Sequence, residues 1–483
     1  MSTAVSHLPL SAARVEADVR RIFEKQRDTA LRWRTSTAEE RLGRIRRLRD
    51  AVLAHAPELY EAAMKDFHKP AAEVDITEIV PIMADASEYL HSLKKWMKPK
   101  GVWPTRMMFG TKSYVQYEPR GRCLIISPWN YPVNLTFGPL IPCLAAGNTA
   151  ILKPSEMTPH MSAWMVKVVK EVFPEDEVAI VEGDASVSTA LLNLPFDHIF
   201  FTGSPAIGKV VMAAAAKNLT SVTLELGGKS PTIIDKSADL DLAAKNLMWG
   251  KFMNVGQTCI APDYIYAHES IKDAFVEKCK QVLTARYGAP EGQLKNPDLA
   301  HVVNERHTKR VAGLLSDAVQ KGAKVLYGGV VNEAEHFVSP TLLDQIPAGA
   351  RINEEEIFGP LLPIYPYSDL DKIIADINAQ PKPLSLYIFS RDNAAIDKVM
   401  KNTSSGGACI NHSVIQFSHG NLPFGGVNNS GIGNSHGFWG FRAFSHEKAV
   451  VRTRIMMARM FWPPYTPWVR SQIQMLIKLF KLW

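Results

Sequence analysis

The chain opens with apolar side chains at helical spacing. They recur every three or four positions, first at Val15, Val19, Ile22 and Phe23, and then at Leu42, Ile45, Leu48 and Val52. This spacing is typical of helices that pack one face against a domain. The pattern predicts a pair of amphipathic helices over residues 11–66 and a further helix over 76–96, which ends near Pro99 and Gly101.

From Gly121 onward the pattern changes to short apolar runs separated by helical segments. The runs lie at residues 123–127, 149–153, 178–181 and 198–202, and the helical segments at 137–146, 158–173, 186–193 and 205–217. This alternation is typical of a parallel sheet that is covered on both faces. We therefore predict an α/β fold whose ligands bind at the carboxyl ends of the strands.

A second α/β region follows Gly228. The pattern predicts a strand over 230–234, a helix from 239 to 254, a strand over 264–268, and further alternation to residue 417. Residues 114–118 alternate like an exposed strand, which we interpret as one arm of a hairpin that extends from the body. The segment 420–435 is rich in Gly, Asn and Ser, and it predicts a loop.

The length and charge of the chain limit its class. A chain of 483 residues predicts two or three domains, and its composition of 46% hydrophobic and 21% charged residues is that of a globular protein. The seven basic residues between Lys448 and Trp483, a segment without acids, account for the whole net charge of +7. The basic stripe of a nucleic-acid binder is therefore absent from the body, and no nucleic-acid partner is expected.

Cysteine usage and the amino terminus suggest the compartment. The chain has cysteines at 123, 143, 259, 279 and 409, without the spacing of a metal site or a disulfide framework. We predict free thiols in a reducing compartment and no bound metal. The N-terminus lacks the continuous apolar segment of a secretory signal, and no run of about 18 apolar residues predicts a membrane span. These features indicate a cytoplasmic protein.

Cys259 and Glu225 are the main candidates for covalent chemistry. Cys259 ends the stretch FMNVGQTC, in which Gly256 lets the backbone come close to a substrate. Glu225 opens the stretch ELGGK, where two glycines leave the carboxylate little covered and free to reach a water. Together they predict attack of a thiolate on a carbonyl followed by hydrolysis. Taken singly, a lone cysteine is more often a small buried hydrophobe, and a Glu before two glycines is usually a loop charge.

The predicted strand ends carry candidate groups for a dinucleotide. Gly203 and Ser204 follow a strand and open a helix, whose N–H groups can attract a pyrophosphate, although the pattern is not GxGxxG. Lys153 can donate to ribose hydroxyls, and Glu156 can accept from them and disfavour a 2′-phosphate, which favours NAD. An ordinary glycine turn and a capped helix start are the structural alternatives.

Further candidate groups lie in stiff or glycine-rich segments. Asn130 lies in SPWNYP, where two prolines stiffen the turn and hold its amide as a donor for a developing oxyanion. The structural alternative is a simple Asx-turn. Glu356 and Phe358 lie in EEEIFGP, where they could hold a nicotinamide ribose and wall its ring, or form an acidic helix end. The stretch PFGGVNNSGIG has more glycines than a loop needs, which indicates backbone packed close to another surface.

In series these motifs resemble the NAD(P)-dependent aldehyde dehydrogenase family. SPWNYP, LKPSE, FTGSPAIG, LELGGKSP, FMNVGQTC, EEIFGP and PFGGVNNSGIG occur in the order of that family, over residues 10–450. The short lead before Asn130, the segment FMNVGQTCIAPDY and the ending GFWGFR are most similar to the class 3 or fatty-aldehyde branch. The resemblance implies oxidation of an aldehyde to a carboxylic acid by a homodimer, with NAD as cofactor. NADP stays open, because Glu156 could swing aside.

The resemblance also implies a domain division and residue roles. It implies a Rossmann-type dinucleotide-binding domain (1–98 and 121–226), a second α/β catalytic domain (227–417) and a small bridging and oligomerisation element (99–120 and 418–452). Cys259 is then the nucleophile, Glu225 the general base, and Asn130 part of the oxyanion hole. The expected cofactor contacts are Lys153, Glu156, Gly203, Ser204, Gly208, Glu356 and Phe358. A coenzyme A-acylating dehydrogenase and a non-catalytic membrane scaffold are the rival interpretations.

The tail, residues 453–483, differs from the body in being basic and rich in Met, Trp and Pro. One helical face carries Ile473, Leu476, Ile477, Phe480 and Trp483, and the other carries Arg470, Gln474, Lys478 and Lys481. Such a helix predicts peripheral contact with the inner face of a membrane, with docking on a partner subunit as the alternative. Membrane contact fits medium- or long-chain aliphatic aldehydes, and aromatic aldehydes are the second interpretation.

Overall fold

The computed structural model describes residues 12–105, 108, 110–454 and 461–481. Its amino-terminal layer is helical and comprises α1 (Ala12–Lys25), α2 (Arg27–Trp33), α3 (Ala38–Ala54), α4 (Ala56–Phe67), α5 (Ala71–Val74), a π-helical turn (Asp75–Ile79) and α6 (Val80–Trp96). The helix over 76–96 is confirmed. The predicted pair over 11–66 is instead several shorter helices, because the capping box of Thr37 and Glu40 starts a new helix and Pro57 lies in the first turn of the next.

Parallel strands form most of the first sheet: β3 (Arg122–Ile126), β4 (Thr149–Lys153), β5 (Val178–Ile180), β6 (His198–Gly203) and β7 (Ser221–Leu226). Their spatial order is β5-β4-β3-β6-β7, and β17 (Gly431–Ile432) pairs antiparallel with β7. Helices α7 (Asn134–Ala146), α8 (Pro159–Val172), α9 (Ala185–Leu192) and α10 (Pro205–Ala216) connect these strands. The strand order reverses between β3 and β6, which is where such sheets bind ligands.

Side chains of this sheet alternate between separate cores. Cys123 and Ile125 pack in the core that contains residues of α3, α6, α7 and α8, whereas Leu124 and Ile126 pack in the core that contains residues of α1 and α9. Successive side chains of a strand point to opposite faces, so strands covered on both sides are apolar throughout. Burial on both faces therefore explains the apolar runs from which we predicted this sheet.

The second sheet is mostly parallel and has the order β10-β13-β14-β9-β8-β15-β16. Its strands are β8 (Pro231–Ile234), β9 (Tyr264–His268), β10 (Lys324–Tyr327), β13 (Thr341–Asp344), β14 (Leu361–Tyr367), β15 (Ser385–Phe389) and β16 (Gly407–Ile410). Its helices are α11 (Leu240–Phe252), α12 (Lys272–Tyr287), α13 (Glu305–Gln320), α14 (Leu370–Ala379) and α15 (Asn393–Asn402), and β11 (Val331–Asn332) pairs with β12 (Phe337–Val338). The strands predicted over 230–234 and 264–268 are confirmed.

A small separate sheet contains β1 (Lys100–Val102), β2 (Thr111–Pro119) and β18 (Ser445–Thr453), and α16 (Gly437–Ala443) precedes β18. The hairpin interpretation is right for β1 and β2, which pair antiparallel. It is incomplete, because β18 pairs with β2 along its whole length, from Pro119 to Thr111. Only the tertiary fold brings these distant segments together. The domain boundaries predicted above stay predictions.

The tail contains α17 (Pro467–Lys481), which confirms a helix there. Val469 is buried and Ile473 and Leu476 are half-buried, whereas Trp468, Met475, Ile477, Leu479 and Phe480 are exposed. The predicted apolar face is present, but Val469, Ile473 and Leu476 of that face turn inward, so only part of it is exposed. Trp483 lies outside the described residues, as do residues 1–11 and 455–460. Within the described part of the chain, no helix is both long and apolar enough to cross a membrane.

Candidate active site

Cys259 follows a sharp turn at the end of α11. The helix predicted to 254 stops at Phe252, because Asn254 and Val255 adopt positive φ angles of 51° and 46°. Gly256 also has a positive φ, of 76°, and a side chain there would collide with the Gly359 carbonyl. This glycine permits close packing against the neighbouring loop. The expected approach of this backbone to a substrate stays a prediction.

The Cys259 side chain borders a cavity at the carboxyl ends of β3, β6 and β7, here called the sheet-end cavity. Its volume is about 220 Å³. Seven of the ten predicted site residues line it: Asn130, Gly203, Ser204, Glu225, Cys259, Glu356 and Phe358. The fold thus brings together motifs that are more than 200 residues apart in the chain.

Lys153, Glu156 and Gly208 do not line this cavity. Lys153 ends β4, where its buried Nζ donates to the Pro154 carbonyl at 2.8 Å and lies 3.3 Å from the Glu156 carboxylate. Because β4 neighbours β3, both side chains are at the same edge of the sheet as the cavity. Gly208 lies on the inner side of α10, where a Cβ would approach the Leu226 side chain to 2.7 Å. Its structural role is close packing of helix and strand.

A second cavity, here called the apolar cavity, reaches Cys259 from another direction. Its volume is about 100 Å³, and its wall includes Ile76, Pro81, Trp249, Met253, Ile415 and Phe417. Among the described residues that line it, none is charged. Cys259 lies where this cavity and the sheet-end cavity approach each other, because its side chain borders both.

Asn130 is buried and linked to the loop that carries Cys259. Its Nδ2 donates to the Gln257 carbonyl at 3.0 Å, and its own carbonyl accepts from Asn254 Nδ2 at 2.8 Å. An amide NH₂ group carries two hydrogens, so one of them remains for an oxygen in the sheet-end cavity. The rigid amide expected from SPWNYP is therefore held by long-range contacts as well as by its prolines.

Glu225 lies near the end of β7 and is only 5% exposed. The Ser435 hydroxyl donates to its Oε1, so the expected uncovered carboxylate is wrong. Ser435 reaches this position because Gly431 of β17 pairs directly with Glu225, and a side chain at Gly431 would collide with β7 backbone. The glycine-rich stretch is thus packed close to another surface, as we predicted. Burial raises the pKa of Glu225, whereas His436 and Ser435 act in the opposite direction.

The electrostatics of Cys259 also differ from our expectation. Burial, with the neighbouring carboxylates of Glu225 and Glu356, raises the pKa of the thiol to about 12. The N–H groups of Cys259 and Ile260 lower it, but by less. In the free protein the thiol is therefore protonated at neutral pH, and the predicted thiolate needs a change in its surroundings.

Glu356 and Phe358 are held by a cation that the sequence analysis missed. Arg310 donates to the carbonyls of Glu356 and Ile357 at 3.2 and 2.7 Å, and Phe358 has a positive φ of 42°. Glu356 Oε1 accepts from the Gly228 N–H at 3.0 Å, and burial raises its pKa to about 7. No sequence signal distinguishes Arg310 from an ordinary basic residue on a helix.

Thr202 and His307 were also missed, and both line the sheet-end cavity. Among the described residues, Thr202 Oγ1 and both ring nitrogens of His307 are buried without a hydrogen-bond partner. Thr202 belongs to the motif FTGSPAIG, which offered a signal, whereas His307 lies on α13 without one. Unpartnered buried polar groups that face a cavity indicate a polar ligand.

The site fits a dinucleotide. It lies where the strand order reverses, and α10 begins there with Pro205 in its first turn and Ser204 as its cap. At Gly227 an added Cβ would lie 2.5 Å from the Glu356 carboxylate, so a larger residue would crowd this edge of the cavity. Together with the unpartnered Thr202 hydroxyl, these residues offer a cradle of backbone and small polar groups for phosphate and ribose.

Comparison with known proteins gives the class of this molecule. Residues 7–450 match the model of the aldehyde dehydrogenase family, and the chain belongs to that family. It is an NAD(P)-dependent aldehyde dehydrogenase, an oxidoreductase that converts an aldehyde to the carboxylic acid. The family, the fold and the reaction class that the motifs predicted are confirmed.

Several relatives are similar over most of their length. Putative aldehyde dehydrogenase AldX of Bacillus subtilis is 46% identical over 436 residues, covering 90% of this chain and 98% of the relative. The 4,4'-diaponeurosporen-aldehyde dehydrogenase of Staphylococcus aureus is 41% identical over 422 residues, covering 87% and 91%. A dimeric NADP-preferring aldehyde dehydrogenase of Canis lupus familiaris is 39% identical over 413 residues, covering 86% and 90%.

A solved structure agrees with the fold. The substrate-bound state of Staphylococcus aureus AldH superposes with a TM-score of 0.90 at 39% identity, covering 95% of this chain and 99% of that chain. This similarity includes both large sheets, so the predicted aldehyde dehydrogenase-like α/β fold is confirmed.

Proposed function

We propose that this aldehyde dehydrogenase acts on medium- or long-chain aliphatic aldehydes. The observation that carries this is the apolar cavity, whose alkyl and aromatic wall leads to Cys259 without a charged side chain among its described lining residues. Burial of each CH₂ group contributes about 0.8 kcal/mol, so affinity should rise with chain length until the cavity is filled. The name of the Staphylococcus aureus relative, a 4,4'-diaponeurosporen-aldehyde dehydrogenase, supports an apolar substrate.

The test is a series of kcat/KM values for straight-chain aldehydes from two to sixteen carbons, with benzaldehyde and cinnamaldehyde beside them. We expect a rise of about threefold to fourfold per CH₂ over the first carbons, from the same free energy of burial. A flat series, or values that are highest for the aromatic aldehydes, would favour the aromatic interpretation.

For the chemistry we propose Cys259 as nucleophile. The thiol first loses its proton to water, and its Sγ then forms a bond to the carbonyl carbon while the carbonyl electron pair moves to the oxygen. Asn130 Nδ2 and the Cys259 N–H donate to that oxygen, and fixed donors reorganise little as the charge develops. The cofactor, when bound, supplies an acceptor for the hydride of the substrate. Oxidation in this way leaves the acyl group on Cys259 as a thioester.

Glu225 is the proposed base for the second half of the reaction. Its carboxylate removes a proton from water, and the hydroxide oxygen attacks the thioester carbon. The C–S bond then breaks, which frees the carboxylic acid and returns Cys259. A carboxylate with a raised pKa is a stronger base than an ordinary one, and burial raises the pKa of Glu225. Glu225 borders the same cavity as Cys259, which supports this role.

For the cofactor we propose NAD, held by the groups at the sheet edge. Lys153 and Glu156 would contact the adenosine ribose, Gly203 and Ser204 the pyrophosphate, and Glu356 the nicotinamide ribose beside Phe358. The packing position of Gly208 leaves it an indirect role through the placement of α10. The dog relative is NADP-preferring, so the choice needs measurement. We expect kcat/KM to be higher with NAD, and Glu156→Gln to raise the NADP value severalfold, because a carboxylate repels a 2′-phosphate.

We also propose a homodimer and a peripheral membrane contact. The dog relative is dimeric, and light scattering of the purified chain would measure the oligomeric state.

The exposed Trp468, Ile477 and Phe480 of α17, with Lys478 and Lys481, suit the inner face of a membrane with anionic lipids. We expect the full chain to co-sediment with vesicles that contain phosphatidylglycerol and a chain truncated after Arg452 to remain in the supernatant. If both proteins co-sedimented equally, the proposal that the tail anchors a cytoplasmic protein to the inner face of a membrane would be contradicted.

A further inference from the structure

Three ionisable side chains lie together behind the active site and have no part in the proposed chemistry. Lys69, Glu73 and Glu78, here called the buried charge cluster, come from the segment between α4 and α6. Lys69 and Glu78 are both 0% exposed, and Lys69 Nζ lies 3.9 Å from Glu78 Oε1. Charged groups are costly to bury, so a cluster of this kind calls for a reason beyond stability.

The Lys69 ammonium is poorly satisfied where it lies. Among the described residues neither Lys69 Nζ nor Glu78 Oε1 has a hydrogen-bond partner. The ammonium instead lies 4.8 Å from the ring centre of Phe67 and 4.8 Å from that of Tyr131. Burial raises the pKa of Glu78 to about 7, and Lys69 opposes that rise. Lys69 therefore favours the charged form of this carboxylate, together with the N–H groups of Asn134 and Val133, which also lower its pKa.

The carboxylates of the cluster hold the backbone of both loops that form the active site. Glu78 Oε2 accepts from the N–H of Asn134, the first residue of α7, at 2.7 Å. Glu73 Oε1 accepts from the N–H of Asn254 at 2.8 Å. One loop carries Asn130, and the other carries Cys259.

The two loops are also joined to each other beside the nucleophile. The Tyr131 hydroxyl and Thr258 Oγ1 are 2.5 Å apart, and Asn254 Nδ2 donates to the Asn130 carbonyl. Asn254 has a positive φ, a conformation that surrounding contacts must maintain. Lys69 therefore lies over the ring of Tyr131 and pairs with the carboxylate that holds α7, and it lines neither of the two cavities.

We propose that Lys69 is a positioning residue for the oxyanion hole. Its ammonium keeps the carboxylates of the buried charge cluster in place, so that Asn130 Nδ2 and the Cys259 N–H point at the same oxygen. The inference rests on the proposed function, because it assumes the roles of Asn130 and Cys259. It assigns Lys69 no contact with the substrate or the cofactor.

The test uses Lys69→Met in the full chain. We expect the rate of the first NADH burst to fall by about tenfold to a hundredfold, less than the loss of an oxyanion donor itself. We expect KM for NAD to change by less than about twofold, since none of the groups in the sheet-end cavity that we assign to the cofactor touches Lys69. The double variant Lys69→Met/Glu78→Gln should recover part of the burst rate, because Gln still accepts from Asn134 without a lone buried charge.

Arg41→Met is the matched control. Arg41 is another buried cation, and it donates to the Ala145 and Ala146 carbonyls at the far end of α7. Its loss should lower the midpoint of thermal unfolding and leave the burst rate of the folded fraction unchanged. A burst rate in Lys69→Met equal to that in Arg41→Met would overturn the proposal. If Lys69→Met does not fold, the double variant Lys69→Met/Glu78→Gln is measured in its place. A burst rate of the double variant equal to that of the unmodified protein would then overturn the proposal.

Failure of this inference can be told apart from failure of the proposed function. Turnover by Cys259→Ala would contradict the proposed function whatever Lys69 does. An inactive Cys259→Ala beside a fully active Lys69→Met would contradict only the inference about Lys69.

Discussion

The two cavities that meet at Cys259 are built in different ways. The sheet-end cavity is lined largely by motif segments at strand ends, such as Gly203 and Gly227, where backbone and small residues decide the shape. The apolar cavity is lined by large side chains from distant segments, such as Ile76, Trp249 and Phe417. A cofactor site shared by a family can be shaped by backbone and small residues, whereas a site for an apolar substrate is shaped by large side chains that can differ between family members. Cys259 belongs to both.

The largest expected effect comes from removing the thiol that borders both cavities. Cys259→Ala should lower the rate of NADH formation by at least about 10⁴-fold, since no other group can form the covalent bond. Absorbance at 340 nm with a long-chain aldehyde measures it. Cys279→Ala, which removes a buried thiol that borders neither cavity, is the control and should keep its activity. Residual turnover within tenfold of the unmodified protein would refute the assignment of the nucleophile.

Glu225→Gln should separate the two halves of the reaction. We expect a first burst of about one NADH per active site, followed by a steady rate lowered about 10²- to 10⁴-fold, since only hydrolysis needs the base. Stopped-flow absorbance measures both phases, and intact mass should show the acyl adduct on Cys259. Steady turnover without a burst phase would contradict the assigned base.

Acyl-CoA formed by the unmodified protein on addition of coenzyme A would favour the acylating rival.

The apolar cavity is best tested at its mouth. Ile76→Asp should lower kcat/KM for dodecanal by about tenfold, because a charge replaces apolar surface along the path of the chain, and it should leave KM for NAD unchanged. Leu53→Asp is a matched control, since Leu53 of α3 is 50% exposed, Ile76 is 53% exposed, and Leu53 borders neither cavity. Equal losses in the two variants would mean that the apolar cavity does not bind the substrate.

The smallest expected effect concerns the thiol. Since the pKa of Cys259 is raised to about 12, its alkylation by iodoacetamide in the free protein should rise about tenfold per pH unit between pH 7 and 9, without a plateau. Glu356→Gln removes one of the negative charges that raise this pKa. A decrease of half a pKa unit would speed alkylation about threefold at pH 8. A plateau below pH 9 would contradict the raised pKa.

Local constraints explain why so much of the sheet-end cavity was predictable. Gly203 ends β6, Ser204 caps α10 and Asn130 lies between two prolines, so the neighbouring residues in the chain mark each of these positions. The parallel strands were predictable because burial on both faces makes each of them apolar throughout. The resemblance of the motif series to one family then supplied the roles of these residues.

The remaining features depend on contacts between distant segments. The cover over Glu225 comes from Ser435, 210 residues further along the chain. Arg310 binds the carbonyls of Glu356 and Ile357, and the apolar cavity combines side chains from separate segments. The buried charge cluster comes from one segment but binds the N–H groups of two distant loops. The pairing of β2 with β18 also joins two segments more than 300 residues apart in the chain, which no local pattern relates.

The sequence by itself determined the α/β alternation, the order of the motifs and the family. These properties follow from periodicity and from residues adjacent in the chain. The tertiary structure alone decided the environment of each group: the burial that raises the pKa of Cys259, the hydroxyl on Glu225 and the ammonium beneath Tyr131. The physical reason is that the pKa and the orientation of a side chain depend on what lies within a few ångströms in space, and neighbours in space are set by the fold.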